Sequence, residues 1–367
     1  MTQSAPKLSV VAPTYREAAN VPILFERLKN VLSGLDWEMI VVDDDSPDGT
    51  ADVASSLAHD DPRMRCVRRV NRLGLAGAVI EGILSSSADF VAVIDADLQH
   101  DEKALPAMRQ ALIDGADLAI GTRVADEAAE KGLSPARQRL SNAGASVFKL
   151  FSGLAVTDPM SGFFMIRRSL VAAIAPRLSP DGFKILADIL LSLPKGVKIV
   201  ETPYVFRKRR AGESKLTALV GLDFLGLVVH HATGGVLPIR FALFAAVGAS
   251  GLIVHLAALK LLVGLYGPPS FGFEQFIATL AAMTSNFLIN NEATYREHRY
   301  RGWRKLVGLA YFALVCSVGA IANINIASWL YQSRPVWWVA GLAGAMVGVV
   351  WNYAVSTAFV WRRPRSA

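Results

Sequence analysis

The chain has 367 residues, of which 52% are apolar and only 19% are charged, and its formal net charge at pH 7 is +7. This composition excludes a disordered chain, a collagen-like repeat and a disulfide scaffold; the separated cysteines Cys66 and Cys316 argue against a zinc or redox cluster and fit a reducing compartment. The length predicts roughly two domains, and the basic excess indicates an anionic partner: nucleic acid, lipid headgroups or a phosphorylated substrate.

The N-terminal part of the chain alternates short apolar runs with amphipathic segments. The predicted strands are Leu8–Pro13, Met39–Val42, Phe90–Ile94, Leu118–Ile120 and Ile199–Phe206. The predicted helices are Val21–Leu32, Ala51–Leu57, Ala76–Leu84 and Ala104–Ile113. Short buried strands separated by helices predict an α/β fold, a mostly parallel sheet covered on both faces.

Polar residues follow several of these strands. They are Thr14–Glu17, Asp43–Asp45, Asp95–Asp97 and Gly121–Arg123. In parallel sheets, ligands bind at the carboxyl ends of the strands. The clustering therefore predicts one active site at this edge of the sheet.

Asp95 and Asp97 are the candidate metal ligands. Two alternating carboxylates can bracket Mg²⁺ or Mn²⁺, which keeps several waters and bridges a diphosphate. The alternative is a polar turn with helix-capping carboxylates, but the preceding apolar strand and the following Leu98–His100 favour the metal. No GxxxxGK[ST] motif occurs, which argues against a P-loop kinase or ATPase, and we interpret Gly74–Gly77 as a tight turn into a helix.

The segment Lys215–Val236 mixes apolar residues with Asp223, His230 and His231. It predicts an amphipathic helix that lies on a membrane surface. The two histidines are candidates for a functional role, and we favour the alternative that they are interfacial residues without chemistry.

The remainder of the chain is poor in charge. The predicted membrane crossings are Arg240–Leu262, Phe276–Tyr295, Leu306–Tyr331 and Val336–Trp361. Basic residues cluster before the first crossing, between the second and third, and after the fourth, so the positive-inside rule places the N-terminal domain, the middle loop and the C-terminus in the cytoplasm. Because Met1–Lys7 lacks a hydrophobic run, we expect no cleaved signal peptide.

A weak internal echo runs through the crossings. Asn286-Phe287 and Tyr295-Arg296 correspond to Asn352-Tyr353 and Trp361-Arg362. The echo predicts two helical hairpins; a coincidence between apolar helices is the alternative interpretation.

Five motifs together resemble dolichol-phosphate mannose synthases, which are family 2 glycosyltransferases with a GT-A fold. They are Val10–Glu17, Val41–Thr50, Asp95–His100, Asp158–Phe163 and Gly212–Lys215. The resemblance covers about Leu8 to Leu216. The four crossings resemble the GtrA-like domain fused to some members, although Asn290–Tyr295 departs from its usual Asn-Arg pair and Trp-Thr-Phe.

The resemblance implies a role for each matching residue. The implied nucleotide-binding residues are Pro13, Tyr15, Glu17, Asp44, Asp95, Ala96 and Gln99, and the implied ligands of Mg²⁺ or Mn²⁺ are Asp95, Asp97 and Gln99. The implied lipid-phosphate residues are Arg123, Arg137 and Ser141, and the implied catalytic residues are Asp97, Arg123 and Arg207. The family usually has Asn where Arg16 and Asp45 stand, which indicates an altered base or sugar preference.

The implied reaction moves a hexose from a nucleotide diphosphate to a phosphate monoester. The monoester is mostly dianionic at neutral pH and needs no general base, whereas arginine forks and a cation bring the two anions together. Arg137 and Ser141 are four residues apart and would share one helix face. The basic run Arg207–Arg210 fits both this task and acidic headgroups.

The sequence thus predicts a glycosyltransferase domain (1–214), a juxtamembrane helix (215–236) and a GtrA-like membrane domain (237–367). The expected reaction is inverting transfer of mannose from GDP-mannose to a polyprenyl phosphate at the cytoplasmic membrane, with the bilayer and not nucleic acid as partner. UDP-glucose or another nucleotide sugar is an alternative donor. A processive polysaccharide synthase lacks support because no QxxRW signature occurs, and a glycolipid translocation module remains an alternative of another class.

Overall fold

A computed structural model describes most of the chain. The described residues are 7–70, 74–124, 148–149, 152–154, 156–179, 184–207, 226–234, 236–266, 271–295, 298–333 and 337–361. Arg137, Ser141, Lys208–Arg210 and Gly212–Lys215, which the sequence singles out, lie outside them. The chain forms two compact units, Met1–Val236 and Leu237–Ala367.

The N-terminal unit contains a seven-stranded sheet. Its strands are β1 (Leu8–Thr14), β2 (Trp37–Asp43), β3 (Met64–Arg68), β4 (Phe90–Val93), β5 (Leu118–Val124), β6 (Phe164–Arg167) and β7 (Ile199–Val205). Their order is β3-β2-β1-β4-β6-β5-β7, and β6 runs antiparallel to both neighbours while the other pairs are parallel. This confirms the predicted mostly parallel sheet.

Helices cover this sheet. They are α1 (Val21–Val31), α2 (Thr50–Asp60), α3 (Leu75–Ser85), α4 (Leu105–Ile113), α5 (Arg168–Ile174) and α6 (Ile185–Ser192). Every residue of β1 and β2 is buried, as expected for central strands covered on both faces. The sheet therefore holds the ends of β1, β2 and β4 in a rigid frame.

The C-terminal unit is helical. Its helices are α7 (Ile239–Tyr266), α8 (Phe271–Glu292), α9 (Arg304–Ser333) and α10 (Trp337–Val355), and a π-helical turn follows over Ser356–Val360. Among the described residues, the segment Ile239–Leu262 of α7 is long and apolar enough to cross a bilayer. Helix α7 packs mainly on α8, and α9 mainly on α10, so the unit consists of two hairpins.

The hairpin ends exchange equivalent contacts. The Tyr295 and Trp361 rings stack with centroids 4.2 Å apart and an interplanar angle of 4°. The Tyr295 hydroxyl lies 2.7 Å from the Thr357 Oγ1 atom, and the Trp361 indole donates to Asn291 Oδ1 at 3.2 Å. Asn291 and Thr357 each precede one of these rings by four residues, so each hairpin binds the other in the same way.

The interiors of the hairpins repeat a second contact. In the first hairpin, the Asn286 amide lies directly against Gly251, where an added Cβ would overlap it. In the second hairpin, Asn352 lies against Gly319 in the same manner. Residues that the sequence echo aligns therefore occupy equivalent positions in the two hairpins.

Candidate active site

The turn after β4 carries the two aspartates predicted to bind a metal. The Asp95 side chain is 37% exposed, and Asp97 is partly buried. Asp97 Oδ1 accepts a hydrogen bond from the Gln99 amide at 3.1 Å. Leu98, between Asp97 and Gln99, is buried and has a φ of 64°, a left-handed conformation that costs about 1–2 kcal/mol for an L-residue. The buried leucine thus anchors a strained turn that presents both carboxylates at the sheet edge.

A glycine leaves space beside Asp95. A Cβ atom at Gly162 would lie 2.7 Å from Asp95 Oδ2 and 3.3 Å from Oδ1. The preceding Ser161 hydroxyl donates to the Gly121 carbonyl at 2.9 Å, which fixes this segment on the end of β5. The Asp158–Phe163 motif therefore closes against Asp95 without filling the space around its carboxylate.

His100 lies against Asp95, with one ring nitrogen near its backbone and the other near its carboxylate. The Asp95 amide donates to His100 Nδ1 at 3.3 Å, and Nε2 lies 3.9 Å from Asp95 Oδ2. The imidazole is buried and stacks on Phe163, with ring centroids 5.3 Å apart. Burial lowers the pKa of His100, so the ring is neutral at pH 7 and carries its proton on Nε2, facing the carboxylate. The sequence motif contains His100, but sequence reasoning gave it no role.

Arg123 lies near the end of β5 and is bound by Asp158. Its Nε and Nη2 atoms donate to Asp158 Oδ2 at 3.1 and 2.8 Å, and the guanidinium lies 5.3 Å from the centroid of the Phe206 ring. Burial acts to lower the pKa of Arg123, but Asp158 outweighs it and the net shift is upward, so the charge is permanent. The side chain is 47% exposed, which leaves room for a second anion.

Two hydrogen bonds join Gln99 to the Arg207 backbone. The Arg207 amide donates to the Gln99 carbonyl at 2.9 Å, and the Gln99 side chain returns a bond to the Arg207 carbonyl at 3.2 Å. The Arg207 guanidinium binds Asp101 and Glu102, each at 2.6 Å. The structure thus brings Arg207 to the segment that carries the metal-ligand candidates, while its charge faces a different pair of carboxylates.

The ends of β1 and β2 are joined by a buried aspartate. Asp43 accepts from the Thr14 hydroxyl at 3.0 Å and from the Ser46 amide at 2.8 Å, and Ser46 Oγ accepts from the Arg16 amide at 3.0 Å. Tyr15 is 46% exposed, and the Arg16 guanidinium lies 5.4 Å from its ring centroid. These bonds hold the Tyr15 ring at the open edge of the sheet.

Backbone strain is concentrated at the same edge. Arg16, Asp45 and Leu98 have φ values of 65°, 52° and 64°, and in the described part of the chain no other non-glycine residue has a positive φ. Each follows a different strand, β1, β2 or β4. Strained residues of this kind cluster at functional sites.

Asp44 lies deeper than expected for a nucleoside contact. Its Oδ1 accepts from Arg69 at 2.6 Å and its Oδ2 accepts from the Gly74 amide at 2.7 Å. Both charged side chains are less than a tenth exposed, and burial raises the pKa of Asp44 against the opposing effect of these bonds. Arg69 carries no motif, so its pairing with Asp44 was not predicted.

The other implied nucleotide residues lie around this edge. Pro13 is buried within β1, and the Ala96 side chain packs into the core. Glu17 accepts a bond from Asn20 Nδ2 at 2.7 Å, and its amide donates to the Thr50 hydroxyl at 3.0 Å. Pro13 and Ala96 can thus contribute backbone and shape, whereas Glu17 contributes a carboxylate.

The residues present fit a hard divalent cation. Within the described ranges no group of three or more His, Cys, Asp or Glu side chains is arranged to hold a metal. Mg²⁺ is commonly bound by one or two carboxylates together with substrate phosphates, and Asp95, which faces the space at Gly162, and Asp97, two residues further on, supply such a pair.

Comparison with known proteins agrees with this architecture. Residues 9–174 match the model of glycosyl transferase family 2, and residues 243–361 match the GtrA/DPMS transmembrane domain. Glucosyl-3-phosphoglycerate synthase from Mycobacterium tuberculosis, solved with Mn²⁺, UDP and glucosyl-3-phosphoglycerate, superposes with a TM-score of 0.50 at 18% identity, covering 62% of this chain and 80% of that one. That likeness shows the GT-A fold.

Curated relatives extend the match to the whole chain. The dolichol-phosphate mannosyltransferase of Pyrococcus furiosus is 33% identical over 362 residues, covering 97% of this chain and 99% of that protein. The Saccharomyces cerevisiae protein of the same name is 34% identical over 59% of this chain and 84% of its own length. The undecaprenyl-phosphate mannosyltransferase of Micrococcus luteus is 32% identical over 58% and 88%. The chain therefore belongs to the dolichol-phosphate mannosyltransferase-like members of glycosyltransferase family 2 that carry a GtrA/DPMS transmembrane domain.

Proposed function

We propose that the protein transfers mannose from GDP-mannose to a polyprenyl phosphate with inversion at the anomeric carbon. One observation carries this proposal. The carboxylates of Asp95 and Asp97 and the guanidinium of Arg123 lie close enough to the buried His100 and Tyr204 to act on both, in a chain that resembles a named dolichol-phosphate mannosyltransferase over nearly its full length. Such a site can hold two phosphorylated substrates together.

The donor lies on the β1 and β4 side of the site. Tyr15 and Glu17 bind the nucleoside, while the backbones of Pro13 and Ala96 shape its pocket. Asp95 and Asp97 would hold Mg²⁺ or Mn²⁺, and the Gln99 side-chain oxygen would be a further ligand. When bound, this ion neutralises charge on the departing diphosphate.

Asp44, Asp158 and Arg207 position these groups. The Asp44 carboxylate, bound by Arg69, fixes the nucleoside end of the site. Asp158 orients the Arg123 fork. Arg207 holds Gln99 through the backbone, and its guanidinium lies at the rim, on Asp101 and Glu102.

The acceptor phosphate binds at Arg123, joined by Arg137 and Ser141. A phosphate monoester is mostly dianionic at neutral pH, so its oxygen attacks without a general base. A bond forms between this oxygen and the anomeric carbon, while the bond from that carbon to the diphosphate oxygen breaks and its electron pair leaves with the nucleoside diphosphate. The scheme gives His100 no role as a general base. This agrees with its position, because the ring is buried and its Nδ1 atom already accepts a hydrogen bond from the Asp95 amide.

Residues 1–214 form the transferase domain, residues 215–236 lie on the bilayer surface, and residues 237–367 cross the membrane four times. The transferase domain and the C-terminus face the cytoplasm. Support comes from the four long helices of the second unit, its GtrA/DPMS match and the distribution of basic residues.

Replacing the Asp97 carboxylate tests the function. The purified full-length protein is assayed with polyprenyl phosphate, Mg²⁺ or Mn²⁺, and a panel of GDP- and UDP-sugars, and the lipid product is identified by mass. We expect one mannose per lipid from GDP-mannose, and a loss of at least about 100-fold in Asp97→Ala, because a removed electrostatic contact to a transition state costs roughly that much. Asp114→Ala, on an exposed carboxylate that binds Gln110, is the matched control. Normal synthesis by Asp97→Ala would contradict the proposed metal site. A lipid that carries glucose instead of mannose would show that the proposed donor, GDP-mannose, is wrong.

A further inference from the structure

The hydroxyl of Tyr204 is buried beside this site, and no described residue forms a hydrogen bond with it. Tyr204 lies on β7 and is only 5% exposed. Its hydroxyl oxygen has no hydrogen-bond partner among the described residues. Leaving such a donor unpaired costs about 1–3 kcal/mol, so native proteins normally satisfy it. A buried hydroxyl without a partner among the described residues therefore indicates a ligand that accepts a hydrogen bond from it.

The surroundings of the hydroxyl identify the kind of ligand. In the sheet register Tyr204 stands beside Arg123, on the same face of two parallel strands. The charges of Arg123, Asp158, Asp95 and Asp97 all act on the phenol, so it shares their neighbourhood. Burial raises the pKa of Tyr204 well above its ordinary value, which keeps the hydroxyl a neutral donor. Its partner must therefore be an acceptor that enters among these charges.

The ring of Tyr204 cannot easily turn away. It packs edge-on against His100 and Phe163, with centroids 5.7 and 5.2 Å away, and lies 6.3 Å from Phe206. Phe206 in turn lies beneath the Arg123 guanidinium. The hydroxyl is thus held in a fixed direction before any ligand arrives, as an effective donor to a developing or permanent negative charge must be.

We propose that the Tyr204 hydroxyl donates a hydrogen bond to a phosphate oxygen of a substrate bound at the Arg123 and Asp95 site. This inference rests on the proposed function, which supplies two such phosphates: the diphosphate of the nucleotide sugar and the monophosphate of the lipid. Arg123 contributes charge to the phosphate, and Tyr204 contributes a directed neutral donor.

Tyr204→Phe removes only the hydroxyl. Since the hydroxyl has no partner in the part of the chain that the structure describes, we expect the ligand-free variant to unfold at the same or a higher temperature than the wild type. Loss of a hydrogen bond to a charged group should weaken phosphate binding roughly tenfold or more. Calorimetric binding of GDP with Mg²⁺ reports the diphosphate, and the KM for polyprenyl phosphate reports the monophosphate, so whichever value moves identifies the source. Tyr311→Phe, at a tyrosine of α9 that is 57% exposed, is the control.

Two outcomes would overturn this inference alone. The first is unchanged GDP affinity and unchanged kinetics in an active Tyr204→Phe protein. The second is a lower unfolding temperature with unchanged GDP affinity and KM, which would assign the hydroxyl to an internal water. A wild-type protein that makes no glycolipid from any donor would instead remove the proposed function, and GDP binding would still report on Tyr204.

Discussion

The two units of this protein use polar groups in opposite ways. In the N-terminal unit, buried charges are bound by opposite charges and backbone amides at the strand ends, as Asp44 is by Arg69 and Gly74. In the C-terminal unit, the polar contacts that join the two hairpins are neutral, as between Tyr295 and Thr357, and Glu292 pairs with Arg299 and Lys305 through side chains that are 39–41% exposed. The first unit therefore concentrates charge and strain at one edge, whereas the second repeats a neutral packing pattern in two hairpins.

This difference separates function from packing. Each strand-end residue has its own set of partners, so a substitution there disturbs a particular bond or charge. The hairpin contacts come in equivalent pairs, such as Asn286 on Gly251 and Asn352 on Gly319. Substitutions in one unit should thus have individual effects, and those at equivalent positions of the other unit should have similar effects.

The largest effect on stability is expected at the buried ion pair. Arg69→Met removes the cation that pairs with the buried Asp44 carboxylate, and removing one partner of a buried pair costs about 3–5 kcal/mol. We expect a correspondingly lower free energy of unfolding, measured by urea titration of the full chain in detergent.

The neighbouring arginine provides a matched control. Arg68 binds Asp45 at 2.7 Å, but its side chain is 53% exposed. Because exposed ion pairs are screened by water, Arg68→Met should change stability far less than Arg69→Met. Equal effects of the two substitutions would show that burial does not decide the strength of charge pairing at this edge.

The sequence predicts the site better where the chemistry is local. Asp95 and Asp97 follow an apolar strand directly, so their position at the sheet edge could be inferred from adjacent residues alone. The Arg123–Asp158 pair and the Arg69–Asp44 pair join residues that are distant in the chain. Tyr204 resembles an ordinary core residue in the sequence, and although His100 belongs to a motif, only the packed structure shows what the polar atoms of the two side chains face.

The length and apolar content of a strand decide whether it can be predicted from the sequence. The central strands β1 and β2 contain the apolar runs Val10–Pro13 and Met39–Val42, and their predicted bounds lie within two residues of the observed ones. Strand β3 lies at the sheet edge and interleaves arginines with Met64, Cys66 and Val67, which weakens its signal. Strand β6 has four residues and runs antiparallel to both of its neighbours, β4 and β5. The alternating strand–helix pattern of a parallel sheet therefore does not predict it.

A smaller effect is expected where the hairpins pack most closely. An added Cβ at Gly251 or Gly319 would overlap the facing asparagine amide, and overpacking of this kind costs about 1–3 kcal/mol. Gly251→Ala and Gly319→Ala should therefore lower the thermal unfolding temperature in detergent by similar amounts.

Two glycines of α7 provide the control for these variants. An added Cβ at Gly248 or Gly264 would meet nothing within 4 Å. Alanine at either position should leave the unfolding temperature unchanged or raise it, because alanine favours helices over glycine. If Gly251→Ala destabilised the protein and Gly319→Ala did not, the hairpins would not be equivalent in energy.

The smallest effect is expected at the strained end of β1. Arg16 adopts a φ of 65°, a conformation that asparagine tolerates better than arginine, and the sequence resemblance places asparagine here. Arg16→Asn should therefore stabilise the protein by about 0.5–1 kcal/mol, less any contribution from the Tyr15 ring contact, as measured by urea titration. Arg177→Asn removes the same charge at an exposed position without positive φ, and should not stabilise. Stabilisation by Arg16→Asn together with a changed donor preference would show that this strain serves substrate selection, whereas an unchanged or lower stability would mean that the left-handed turn costs the protein nothing.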